Sequence, residues 1–288
     1  MKESGKDKVF QGIITFILCI IGIIALIPLV TVVAMSFSSK AAADMNIVNL
    51  WPVDFTLDSW KYILSNAEIW RAFFITLLST LLGTVLALTV TALMAYPLAK
   101  QEFKPGKVLM VFVIITMIFK APVVPYFLTV KAMGLFNNPL VLVIPHILSA
   151  YNLAIMRTFF QQFPREVEEA AMIDGAGQFQ LLGRIVIPAS KAVLATVGLF
   201  YAVVFWNQFQ HPVMFIQDTK WFPLQLKIRQ LITGGSELQS LTAKIDVNYN
   251  ERTLQAAVVV FAIIPIILIY PYLQKHFAKG AMLGSVKG

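Results

Sequence analysis

The spacing of charge along this chain leaves few folds open. From Val9 to Ser39 there are 31 consecutive residues without a charged side chain. Comparable runs follow: Ala72–Ala99 with 28 residues, Ala132–Met156 with 25, Ala192–Gln217 with 26 and Thr253–Gln274 with 22. One further apolar run, Val108–Val130, is interrupted only by Lys120. A helix needs about 20 apolar residues to cross the hydrocarbon core of a bilayer. Within lipid every backbone N–H and C=O must find a partner in the chain, so such runs are expected to be helices. The sequence predicts an all-α integral membrane protein in a single transmembrane domain over residues 1–288. Its six spans are placed at about 11–37, 72–98, 108–130, 140–157, 190–211 and 253–273, with a loop at 158–188 and a tail at 275–288.

Composition agrees with lipid as the solvent. Only 13% of residues are charged, against roughly a quarter in soluble domains. The net charge of +8 is therefore read against a membrane before a nucleic acid, for which no binding motif is found. Lysines gather at Lys2, Lys6 and Lys8, at Lys100, Lys104 and Lys107, and at Lys275, Lys279 and Lys287. With six spans these three segments fall on one side, and basic residues mark the cytoplasmic side. Both termini and the 157–191 segment are expected in the cytoplasm, and the 40–71 and 210–252 segments outside. Trp51, Trp60 and Trp70 suit the membrane interface, where an amphipathic ring sits between water and lipid. The first run is too long for the core of a signal peptide and is expected to remain as a span.

Several chemistries are excluded. Cys19 stands alone, so no internal disulfide or cysteine-based metal site forms, and His146, His211 and His276 lack ligand spacing. A phosphate-binding loop needs G-x-x-x-x-G-K-[ST]. Gly106-Lys107 is followed by Val108 and lacks the earlier glycine, and Gly5-Lys6 fails as well. The chain is expected to be no enzyme and to hold no cofactor or metal of its own.

One stretch between the fourth and fifth runs differs in kind. Val167–Pro188 reads VEEAAMIDGAGQFQLLGRIVIP. Pro164 suits the first helical position, Glu166, Glu168 and Glu169 suit the positive end of a helix dipole, and Ala170 and Ala171 favour helix. Gly175 and Gly177 permit a turn. A second helix over Phe179–Ile187 presents Phe179, Leu182 and Ile185 at helical spacing. An amphipathic helix resting on lipid would carry basic residues on its polar face; this one is acidic, which favours docking against a basic partner.

The order Glu169-Ala170-Ala171, three residues, Gly175, nine residues, Ile185, one residue, Ile187, Pro188 resembles the EAA loop of binding-protein-dependent ABC importer permeases, departing at Ile187, where leucine is common. The chain is more broadly similar to carbohydrate permeases of the maltose type, second-permease branch. FTLDSWKYIL (55–64), MGLFNNPLVLVIP (133–145), FWNQFQHPVMF (205–215) and AKGAMLGSVKG (278–288) resemble that branch's motifs, with Gln208 where an acidic residue is usual. The resemblance implies the type I importer permease fold, multi-pass in a bacterial plasma membrane. It implies a second permease, two ATP-binding subunits that hold ATP and Mg, and an extracellular solute-binding protein. Glu168, Glu169, Ala170, Ala171, Asp174, Gly175, Ile185 and Pro188 become the candidate coupling residues, and the tail a candidate contact with the ATPases.

An oligosaccharide is the implied cargo. Polar groups inside a membrane helix tend to face a cavity or a neighbouring helix. Tyr201, Phe205, Trp206, Asn207 and Gln208 offer ring faces and amides suited to sugars, but equally suited to helix packing. Lys120 is either a lysine reaching for the interface or a cationic contact for an acidic glycan. An ABC permease for another solute, or an ion-coupled carrier, are the alternatives that the residues leave open.

Overall fold

The structure, a computed structural model, describes residues 5–233 and 249–284. Lys2 and Lys287, the end of the glycine-containing tail, and residues 234–248 of the expected outer segment lie outside the described residues. The described residues contain helices and turns and no strand. Three helices are each long and apolar enough to cross a bilayer: α1 (Gly5–Ser36) in its Phe10–Ser36 part, the 33-residue Ala67–Ala99 helix, and the last helix in its Glu251–Ile269 part. Three bent helix pairs bring the number of candidate spans up to six.

The chain separates into two compact units. The first comprises the chain up to Trp70 together with Ile228–Pro265. In it α1 is apolar on every side and leaves its long apolar stretch unburied, as a helix solvated by lipid would. Two short helices follow, α2 (Lys40–Asp44) and α3 (Asp58–Ser65). Ser39 caps α2 by accepting from the Ala42 N–H. Phe37 stacks between Phe55 and Trp60, with centroids at 5.7 and 5.4 Å. This segment is tied to the start of the last helix. The Asn250 amide donates to Asp44 at 2.7 Å, Arg252 donates to Asn46, and Ser59 Oγ bonds Thr253 Oγ1. Of the three tryptophans, Trp51 is exposed, Trp60 stacks on Phe37, and Trp70 donates to the Leu64 carbonyl.

The second unit comprises Arg71–Lys227 and the chain from Ile266. Most of α4 (Ala67–Ala99) belongs to it. Then come α5 (Gly106–Ile118), α6 (Val123–Ala132), two 3-10 turns at Pro139–Leu142 and Ile144–His146, α7 (Ala150–Gln161) and α8 (Arg165–Ile173). The chain continues through α9 (Gln178–Ala189), α10 (Lys191–Trp206) and α11 (Gln210–Phe215). One core joins α4, α7, α9 and α10 through Ala87, Ala95, Leu153, Met156, Val186 and Val197. Small residues permit close approach: the Phe205 ring lies over Gly83, and Leu88 lies against Gly198. A second core gathers Val130, Val141, Leu142, Phe215 and Ile216.

The expected single helix over 108–130 is corrected. The chain breaks after Ile118, resumes at Val123 and bends by 119°. Pro122 explains the break, because proline disfavours helical geometry in the residue before it and lacks an N–H to continue the ladder. The span expected at 140–157 starts as 3-10 turns containing Pro139 and Pro145 and bends by 46° into α7. The span expected at 190–211 stops at Trp206 and resumes as α11. Each difference falls at a polar or proline-bearing stretch that counting apolar residues overlooks.

Candidate functional site

The Val167–Pro188 stretch forms a helix–turn–helix. Pro164 caps α8, one position earlier than expected, and Arg165 is the first helical residue. Helix α8 ends in a Schellman turn: the Ala176 N–H reaches the Ala171 carbonyl, and the Gly175 N–H reaches Met172. Gly175 holds φ +86°, the left-handed region where a Cβ is strained. A stretch of π-type helix, Leu181–Val186, then leads through Pro188 toward α10, which turns by 86° from α9.

The two faces of α8 are unlike. Glu168 is its one buried residue, 8% exposed, and pairs with Lys100 just past the end of α4. The Lys100 ammonium also lies 4.4 Å from the Tyr96 ring centroid. Close by, the Arg157 guanidinium donates to the Leu98 carbonyl at 2.8 Å, and Arg165 approaches Glu102 at 3.5 Å. Ala171 packs inward against the core. On the opposite face Glu166, Glu169 and Ala170 are exposed, and Ile173 at 87% and Phe179 at 83% stand clear of the chain. Asp174 and Pro188 are exposed, while Ile185 is half-buried against the core. Beside the hairpin lies a cleft of about 880 Å³, lined among others by Lys100, Glu102, Arg165, Glu169, Met172 and Phe179.

This arrangement offers a projecting acidic and apolar edge on a helix pinned from behind. It can be gripped by another surface and can pass motion to α4 through Glu168 and Lys100. Sequence reasoning named the glutamates but missed Lys100 and Arg157, whose partners are distant in sequence. The signal available was a basic residue directly after two of the long apolar runs, Lys100 after Ala72–Ala99 and Arg157 after Ala132–Met156.

The residues singled out in the fifth run lie mostly inside the chain's own packing. The Tyr201 hydroxyl bonds Thr91 Oγ1 at 2.7 Å and accepts from the Ser149 N–H at 2.9 Å. Phe205 is buried over Gly83. Trp206 meets Phe73 edge-on, and Gln208 donates to the Leu142 carbonyl at 2.7 Å. Asn207 is exposed, and its amide donates back to Val203. Lys120 is exposed in the break between α5 and α6. Among the described residues no group of histidine, cysteine or carboxylate side chains is set to hold a metal.

Comparison with known proteins places this geometry. The chain is 38% identical to protein LplC of Bacillus subtilis over 100% of its own length and 98% of the relative's. It is 35% identical to the polygalacturonan/rhamnogalacturonan transport system permease protein YtcP of the same organism, covering 98% of this chain and 100% of that one. A crystal structure of a bacterial ABC transporter involved in the import of the acidic polysaccharide alginate contains a chain of matching fold. Its TM-score is 0.89 at 30% identity, over 96% of this chain and 99% of that one. Residues 87–282, which include α8 and its turn, match the model of the binding-protein-dependent transport system inner membrane component, and the chain belongs to that family of ABC permeases.

Proposed function

We propose that this chain is one of two permease subunits of an ATP-driven importer of oligosaccharides, acidic ones among them. A second permease completes the pathway, two ATP-binding subunits supply ATP and Mg, and an extracellular solute-binding protein delivers the cargo. Both termini face the cytoplasm of a bacterial cell. The chain performs no covalent chemistry; it conducts and transmits.

The observation that carries this reading is the two-faced α8. Its inner carboxylate, Glu168, is spent on Lys100, while Glu169, Ala170, Ile173 and Phe179 are presented outward. Exposed apolar side chains rimmed by polar ones, as Ile173 and Phe179 are beside Glu169, mark a surface for interaction. Closure of an ATPase dimer gripping this edge would move α8 as a lever, with the ion pair passing the displacement to α4. Support for an acidic cargo comes from relatives named for polygalacturonan and alginate transport.

The test is a tagged pull-down from gently solubilised native membranes, comparing wild type with Gly175→Asp. Wild type is expected to bring down an ATPase and a second permease, and the variant to lose the ATPase. A wild-type chain that purifies without any ATPase, under conditions preserving other membrane complexes, would overturn the reading.

A further inference from the structure

The break between α5 and α6 carries an ionisable side chain. Helix α5 has 13 residues, so it is about 20 Å long, short of the roughly 30 Å hydrocarbon core. With α5 starting at the cytoplasmic interface beside the basic 100–107 loop, as the expected topology has it, its non-helical end, Phe119–Pro122, lies about 20 Å into the bilayer. Every residue from Phe119 to Pro125 is exposed on this chain alone. Irregular backbone at that depth cannot face lipid, where its polar groups find no partner; it persists against protein or along a water-filled cavity. The position of the break is fixed by its far arm. Phe127 of α6 stacks on Phe215 at 5.3 Å, and Tyr126 Oη shares a 2.6 Å hydrogen bond with His211 Nε2.

Lys120 lies in the middle of this break, and among the described residues it pairs with no carboxylate. A lysine at the lipid surface would lie on a helix with its stem along apolar neighbours. Here the backbone itself needs water or protein, and the ammonium stands free to meet an anion.

We infer that the 119–122 break lines the route of the cargo and that the Lys120 ammonium contacts the carboxylate of uronic-acid units as they pass. The inference rests on the importer reading above and adds the residue that favours acidic over neutral glycans. A single charge-assisted contact is directional and strong for its size, yet one contact still lets the sugar leave, as conduction requires.

The experiment uses the whole complex, with its binding protein, in proteoliposomes and digalacturonate as the probe. Lys120→Met is expected to lower uptake at least tenfold, and Lys120→Arg to stay within about threefold of wild type. Because Cys19 is exposed, a Lys120→Cys variant is made in a Cys19→Ala background. Its uptake is expected to return on aminoethylation of the thiol, which restores a cation, and not on methylthiolation. Wild-type uptake of digalacturonate with an equal rate in Lys120→Met overturns this inference alone. So does recovery of the Lys120→Cys variant by methylthiolation. A wild-type complex that imports only neutral oligosaccharides overturns the inference together with the acidic-cargo reading.

Discussion

Lys100 and Glu168 are 68 residues apart in sequence and form an ion pair between the ends of two helices. Lys100 directly follows the last residue of α4, where a cation meets the negative end of that helix dipole. Glu168 sits in the first turn of α8, where a carboxylate meets the positive end. The pair thus joins complementary helix termini, and Tyr96 beneath the ammonium adds a cation–π contact. Holding Glu168 inward is what turns Glu169 outward on the next position of the helix.

Removing either partner is expected to loosen α8. Amide exchange across Arg165–Ile173, measured by mass spectrometry on the purified complex, should quicken about tenfold in Glu168→Gln or Lys100→Met. That corresponds to about 1.4 kcal/mol of coupling, within the range of contacting pairs. The double variant should exchange no faster than either single one. Additive acceleration would mean that the two side chains act independently.

Within this chain Gly175 has open space around an added Cβ, so what the chain itself requires there is the conformation. With φ at +86°, a residue bearing a Cβ is expected to cost about 1–2 kcal/mol. Asparagine tolerates this region better than a β-branched residue. Gly175→Asn should therefore retain more ATPase in a pull-down than Gly175→Val. Equal loss in both would point to a contact at the glycine itself.

The α8–α9 hairpin was legible in the sequence because its determinants are local: acid in the first helical turn, alanines in the middle, glycine at the left-handed stop. The long spans were legible for the same reason, since length and lack of charge suffice. The break at 119–122 was half legible: Lys120 and Pro122 marked it, but a run of 23 residues from Val108 to Val130 looked long enough to cross without bending. The Lys100–Glu168 pair and the Tyr201–Thr91 bond were not legible. Both depend on which faces of distant helices meet, and a helix that is apolar on all sides gives no periodic signal of its buried face.

Close approach of α4 and α10 depends on Gly83. A Cβ there would stand 2.7 Å from the Phe205 ring, closer than any ordinary contact, and Phe205 is itself buried. Gly83→Ala is expected to destabilise the chain by about 1–3 kcal/mol through overpacking. Phe205→Leu, placed with it, should restore much of the loss, seen as recovery of the thermal midpoint of the detergent-solubilised complex. If Gly83→Ala leaves that midpoint unchanged, the two helices are not packed as described.

Tyr201 separates helix packing from cargo contact most sharply. Its hydroxyl accepts from the Ser149 N–H and bonds Thr91, so it satisfies backbone where the chain bends into α7. Tyr201→Phe leaves the buried Thr91 hydroxyl and the part-buried Ser149 N–H without this partner, a loss of about 1–3 kcal/mol. A packing role predicts a lower thermal midpoint with the KM for transported oligosaccharide unchanged. A hydroxyl that touched sugar would instead raise KM and leave the midpoint alone. The full engagement of the hydroxyl within the chain leads us to expect the first outcome, and a raised KM at constant thermal midpoint would return Tyr201 to the pathway.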